Sequence, residues 1–235
     1  MKILFAATDT IAVPLLSLLA EEKLVCAVFT APDAPGKWGK TLISTPVKVK
    51  ALELGLPVYT HEHLNKAERE IVKSLGADTL LSFCYGKIFG PKFLSLFDNT
   101  MNVHPSPLPK YRGCAPTFAA IKNMDGKTAV TLQEIGLGID EGRIYSSLPI
   151  DLNGDETTLS LEERVSQMVP QFVLETLKNI DTIDRVQQEG EASYTAFITK
   201  EDGRIDWKRE AKEIHALVRA CIPWPRAYGY LGEDK

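Results

Sequence analysis

No stretch of this 235-residue chain approaches the roughly 20 apolar residues that a membrane-spanning helix needs, and no membrane role is expected. Cysteine is sparse. Cys26, Cys84, Cys114 and Cys221 stand far apart, without the paired spacing of a zinc knuckle or a disulfide framework. No metal site is expected, and a reduced, cytoplasmic setting is. The G-x-G-x-x-G fingerprint is missing where the first strand leads into Ala6-Ala7-Thr8-Asp9, so a dinucleotide cofactor has no support. Excess positive charge is missing as well: 27 Lys and Arg face 31 Asp and Glu, for a net charge of −4. That balance argues against a generic nucleic-acid binder. The charge is uneven, however. Residues 1–118 carry 13 basic and 10 acidic side chains, and residues 119–235 carry 14 and 21, so a polyanion should meet the N-terminal half. What is present is an ordinary globular composition, 44% hydrophobic and 25% charged, with enough apolar side chain for a core.

Short apolar runs alternate with segments of helical periodicity. The pattern predicts strands over 2–7, 24–31, 57–59, 78–83, 100–103, 129–135 and 143–152, and helices over 10–20, 46–54, 65–75 and 157–179. Polar Thr8, Asp9 and Thr10 make the N-terminus strand-then-helix rather than a signal peptide. Residues 32–40 are too rich in Pro and Gly for regular structure. Pro170 is expected to bend the last long helix. The alternation predicts an α/β fold with a Rossmann-like, doubly wound, mostly parallel sheet. Beyond Asp181 the pattern thins to a small strand over 193–198, a short helix over 206–220 and one strand over 227–231. The expected division is a main domain over 1–181, a linker with a short helix over 182–225, and over 226–235 the start of a truncated or minimal β-rich domain.

Chemistry concentrates in one string, Met101-Asn102-Val103-His104-Pro105-Ser106-Pro107-Leu108-Pro109-Lys110-Tyr111-Arg112-Gly113. Asn102 and His104 are two apart on a predicted strand and share a face. They fall near its carboxyl end, where ligands bind in open α/β sheets. A carboxylate to orient or deprotonate the histidine is needed, and Asp140, in a Gly-rich turn over 136–142, is the candidate. On these residues alone, a structural histidine and a plain turn aspartate remain open. His61 and His63 alternate like a metal pair but lack a third ligand, and read as surface polar residues.

The string NVHPSPLPKYRG, with an aspartate in GLGIDEG 36 residues after His104, resembles the formyltransferases that use 10-formyltetrahydrofolate. Pro32-Asp33, Thr45-Pro46-Val47-Lys48, Arg204-Ile205-Asp206-Trp207 and Pro223-Trp224-Pro225 extend the resemblance along the chain, toward the branch acting on methionyl-tRNA. The chain departs from that branch at Ala7-Thr8-Asp9, where Gly-Thr-Pro is usual, and at Pro107, where Leu is usual. The resemblance implies the formyltransferase fold and formyl transfer from 10-formyltetrahydrofolate to initiator methionyl-tRNA. It implies Asn102, His104 and Asp140 as the catalytic trio; on chemical grounds His104, if cationic through pairing with Asp140, is a second donor to the oxyanion beside Asn102. It places the folate at Phe83, Tyr85, Gly86, Ile88, Gly136, Leu137, Gly138 and Ile139, largely through main-chain groups. Basic Lys37 and Lys40 around Trp38, with Arg112, are the expected acceptor contacts. A monomer is expected. The alternatives are N-formylation of an amino sugar nucleotide, and a catalytically silent module that binds folate or tRNA.

Overall fold

The computed structural model describes residues 1–36 and 41–230. In chain order the first half comprises β1 (Ile3–Ala7), α1 (Val13–Glu21), β2 (Val25–Thr30), the short β3 (Ala34–Pro35) and β4 (Leu42–Ile43), α2 (Pro46–Glu53), β5 (Val58–Thr60), α3 (Lys66–Leu75) and β6 (Thr79–Phe83). There follow α4 (Pro91–Leu94), β7 (Asn99–His104), β8 (Arg112–Gly113), α5 (Pro116–Lys122), β9 (Lys127–Glu134), β10 (Ile144–Asp151), α6 (Thr158–Lys178), β11 (Tyr194–Thr195) and α7 (Ala211–Ala220).

Seven strands form one sheet in the order β10-β9-β7-β6-β1-β2-β5. The five from β7 to β5 pair in parallel, whereas β9 runs antiparallel to β7 and β10 antiparallel to β9. β1 and β6 are buried at every position because helices cover both faces, which is why they read as unbroken apolar runs. Alternate side chains sort to the two faces. Ile3, Phe5, Leu81, Phe83, Met101 and Val103 pack with residues of α1, α2, α5 and α6. Leu4, Ala6 and Leu80 pack with Val72 of α3 and Phe93 of α4. Each fully buried Leu or Phe contributes roughly 1.5–3 kcal/mol.

Local signals set the helix ends. Thr45 Oγ1 accepts from Lys48 N–H at 3.0 Å ahead of Pro46, and Asn65 with Glu68 forms a reciprocal cap on α3. Gly76, at φ +62°, ends α3 in the left-handed conformation that glycine adopts without penalty.

Several expectations are corrected. Within 32–40, Ala34–Pro35 does pair, antiparallel with Leu42–Ile43, because two ladder positions tolerate proline at an edge. The strand expected over 193–198 shrinks to Tyr194–Thr195, paired in parallel with Arg112–Gly113. The last helix starts at Ala211 rather than 206, and the strand over 227–231 does not form among the described residues, where Tyr228 takes part in an isolated bridge to Arg204. α5, which the proline-rich string concealed, starts at Pro116 and buries Phe118 and Ile121. The helix expected over 157–179 forms as α6, 21 residues long with Pro170 inside it. Among the described residues, no helix is long and apolar enough to cross a membrane.

Candidate active site

Asn102 and His104 turn to the α3/α4 side of the sheet, opposite Met101 and Val103, as period-two alternation requires. The register sets Asn102 beside Gln133 and His104 beside Thr131 on β9. Antiparallel β9 ends next to the start of β7, and the loop over 136–142 leaves from that strand end. It folds back over the sheet face and brings Asp140 onto the pair. Asp140 Oδ1 accepts from Asn102 Nδ2 at 3.3 Å and from Gln133 Nε2 at 2.6 Å. Its Oδ2 accepts the Gly113 N–H at 2.8 Å and lies 3.5 Å from His104 Nδ1. Only glycine suits position 113: φ is +102°, and a Cβ would stand 2.2 Å from the Thr195 carbonyl oxygen.

His104 is sunk beneath this carboxylate, 4% exposed, so it does not face the cleft as a free donor. Its Nε2 lies 2.8 Å from the Tyr111 carbonyl, which can only accept, so Nε2 carries a hydrogen and Nδ1 faces the Asp140 carboxylate. Burial pushes the imidazole pKa below its ordinary value, against the opposing pull of Asp140 and the Tyr111 carbonyl. Burial thus opposes the cationic form on which a second oxyanion-donor role for His104 depends. A folded-state pKa below the unfolded value means that the unfolded chain binds more protons as pH falls below about 6.5, so this group lowers stability through that acid window. An NMR titration of the His104 ring should give a midpoint below about 6.5; a midpoint above it contradicts the burial argument.

The residues expected to hold the folate divide. Phe83 and Tyr85 are buried, Phe83 in the core and Tyr85 stacked on Phe89 at 5.5 Å. By contrast Ile88 is 79% exposed, Leu137 76% and Ile139 59%, an exposed apolar ledge. Ile135 packs against the cluster holding Tyr85 and Phe89, which sets the start of the 136–142 loop beside that segment. The Tyr85 hydroxyl is buried with no hydrogen-bond partner among the described residues. An exposed apolar ledge with exposed Gly86, Gly136 and Gly138 and one orphaned buried hydroxyl fits a flat heterocycle that carries hydrogen-bonding groups. Among the described residues no group of three or more His, Cys, Asp or Glu side chains is placed to hold a metal.

Arg112, expected to meet the acceptor, is otherwise engaged. Its guanidinium donates to Gln188 Oε1 at 3.1 and 2.8 Å, to Tyr194 Oη at 2.9 Å and to Glu141 Oε1 at 3.3 Å. Lys37, Trp38 and Lys40 lie outside the described residues. His61 is not a surface residue: it stacks on Tyr59, tilts against Phe29, and pairs through Nδ1 with Glu68 Oε1 at 2.9 Å. His63 is exposed.

Sequence reading missed Gln133 and Gln188. The first had a signal, a lone amide in the apolar strand run Val130-Thr131-Leu132-Gln133. The second had none, because its partners lie 48 and 76 positions away.

Residues 1–177 match the family model described as Formyl transferase, and residues 197–235 match Formyl transferase, C-terminal domain. A methionyl-tRNA formyltransferase from Treponema denticola is 38% identical over 247 residues, covering 100% of this chain and 77% of that protein. A methionyl-tRNA formyltransferase from Marinobacter nauticus is 35% identical over 241 residues, covering 100% of this chain and 78% of its own length. Among solved structures, the N-formyltransferase from Helicobacter canadensis, in complex with folinic acid and dTDP-3-aminofucose, superposes with a TM-score of 0.72 at 22% identity, over 94% of this chain and 80% of the other. The fold, the ordered motif string and these similarities agree, and the chain belongs to the formyl transferase family.

Proposed function

We propose that this chain transfers the formyl group of 10-formyltetrahydrofolate to the amino group of initiator methionyl-tRNA. The observation that carries the reading is the meeting of Asn102, His104 and Asp140 on one sheet face, in a chain 38% identical to a methionyl-tRNA formyltransferase. The folate supplies the activated formyl group and a nitrogen leaving group. Ile88, Leu137 and Ile139, with main-chain groups of Gly86, Gly136 and Gly138, would hold it.

In the transfer, a bond forms between the acceptor nitrogen and the formyl carbon, the bond from that carbon to the folate nitrogen breaks, and one proton moves from the acceptor nitrogen to the departing one. Asn102 has two amide hydrogens and gives one to Asp140, leaving the other for the formyl oxygen as negative charge develops there. Asp140 accepts the amine proton. His104 makes that acceptance favourable: its Nδ1 lone pair takes a hydrogen bond from the newly protonated carboxyl, and its Nε2 hydrogen stays on the Tyr111 carbonyl. The histidine thus acts through Asp140. Lys37, Trp38 and Lys40 are assigned to the acceptor on sequence grounds, as phosphate contacts flanking a stacking surface.

We divide the chain into a formyltransferase unit over 1–181, a linker over 182–225 and the start of a C-terminal domain over 226–235. The second family match supports a distinct C-terminal unit, although it begins at 197. We also infer a monomer working in the cytoplasm, where translation initiates.

The test is formylation of charged initiator tRNA by the purified chain with 10-formyltetrahydrofolate. Formylmethionyl-tRNA is the expected product. Formylation of an amino sugar nucleotide with no reaction on tRNA would replace this reading, and folate binding without turnover on either acceptor would leave a silent module. Lys40→Ala should raise KM for the tRNA with nearly normal kcat and a weaker salt dependence, because a phosphate contact is largely a uniform binding term. A salt-independent KM in both forms would remove Lys40 from the tRNA contact.

A further inference from the structure

We propose that Gln188, which lies outside the sheet, is a positioning residue that holds the 136–142 loop in the conformation that aims Asp140. The inference rests on the formyl-transfer reading above. Asp140 is a non-glycine residue at φ +53°, a left-handed backbone that aspartate tolerates but does not prefer. Something must hold it there. Gln188 Nε2 donates to the Asp140 carbonyl and to the Gly142 carbonyl, both at 2.8 Å, so one amide spans the turn on both sides of residue 141.

The other end of the same amide is fixed as firmly. Gln188 Oε1 accepts both Nε and Nη2 of Arg112, whose Nη1 reaches Tyr194 Oη and Glu141 Oε1. The position therefore demands two donors and one strong acceptor on a single side chain of this length. Glutamate lacks the donors and lysine lacks the acceptor; glutamine has both.

The segment that carries Gln188 is pinned on each side. Val186 exchanges main-chain hydrogen bonds with Ile144 at 2.8 and 3.0 Å, and Ser193 and Thr195 bond the chain around Arg112 and Gly113. Gly113 in turn supplies the N–H on Asp140 Oδ2. The stretch from 186 to 195, which reads as linker in the sequence, thus holds Asp140 from two directions: through the loop carbonyls, and through the Gly113 strand. Gln133 aims the carboxylate directly, and Gln188 fixes the backbone that bears it.

The experiment compares Gln188→Glu, Gln188→Met and, as a control, Gln187→Ala, an exposed neighbour. Glutamate keeps the pairing with Arg112 but turns an acceptor toward two carbonyls. Methionine removes donors and acceptor without adding charge, so it keeps the test alive if the glutamate variant folds poorly. In both Gln188 variants kcat should fall by about 10- to 100-fold, with KM for folate and acceptor within about twofold, as for a reacting group displaced by a fraction of an ångström to 1 Å. Amide hydrogen exchange over 136–142 should quicken in both and stay unchanged in the control. In Gln188→Glu the acid limb of the rate should also move to higher pH, because the new carboxylate favours protonation of its neighbours. Wild-type kcat in both variants, or a kcat loss without faster exchange in the loop, overturns the proposal. If the wild-type chain formylates no acceptor, the functional reading fails, and the exchange measurement still decides whether Gln188 holds the loop.

Discussion

Asp140→Asn should lower kcat by about a thousandfold, within the range for losing a positioned proton acceptor, with little change in folate affinity. The side chain keeps its size, and its oxygen can still accept from Gln133 or Gly113, so the fold has no reason to fail. Two things are lost. The amide cannot take the amine proton, and its NH₂ must face one of the three donors now directed at the carboxylate, Asn102 Nδ2, Gln133 Nε2 or the Gly113 N–H. Single-turnover formylation measured beside a thermal melt checks the result. A kcat within tenfold of wild type would remove Asp140 from the proton transfer and return the role to solvent.

The second large effect belongs to a residue that touches no substrate. Gly142→Ala would set a Cβ 1.7 Å from the carbonyl oxygen of Glu134 and 2.6 Å from its carbonyl carbon. That backbone is already committed: Glu134 N–H donates to the Arg143 carbonyl at 2.8 Å, closing the neck of the loop. Arg143 and Arg185 both donate to the Glu134 carboxylate across the same neck. The clash is with main chain, so no side-chain rotation relieves it, and the neck must open. A stability loss of roughly 2–4 kcal/mol is expected, as for overpacking at a rigid buried site. Asp140 moves with the neck, so activity should fall further than the melt alone explains, by about a hundredfold in the fraction that remains folded. Gly126→Ala, where a Cβ would meet nothing within 4 Å, is the control and should be nearly neutral in both measurements. Equal behaviour of the two alanine variants would contradict the close approach at Gly142.

Local chemistry made much of this molecule legible before any tertiary structure. Strands with both faces covered read as unbroken apolar runs, and Pro46, Asn65 and Gly76 mark helix ends by rules that act within one turn. The pairing of Asn102 with His104 on one face is equally local, because a strand alternates with period two. Asp140 was reached through the resemblance of the motif string; its spacing alone left a turn residue open.

What tertiary structure alone decided is direction and long-range satisfaction. Nothing local says whether the chain after β7 crosses to a parallel or an antiparallel β9, and the antiparallel choice is what folds the 136–142 loop back over the sheet and seats Asp140 on Asn102. The titration of His104 is set by burial, which opposes its cationic form, and by Asp140 and a carbonyl seven residues away, none of which its own stretch of sequence reveals. Arg112 has the look of a ligand contact as a basic residue in a motif, yet its guanidinium donates to Gln188, Tyr194 and Glu141, brought from distant parts of the chain. Periodicity records which face a side chain occupies; it carries no information about partners 48 or 76 positions away, and those partners hold the candidate catalytic carboxylate in place.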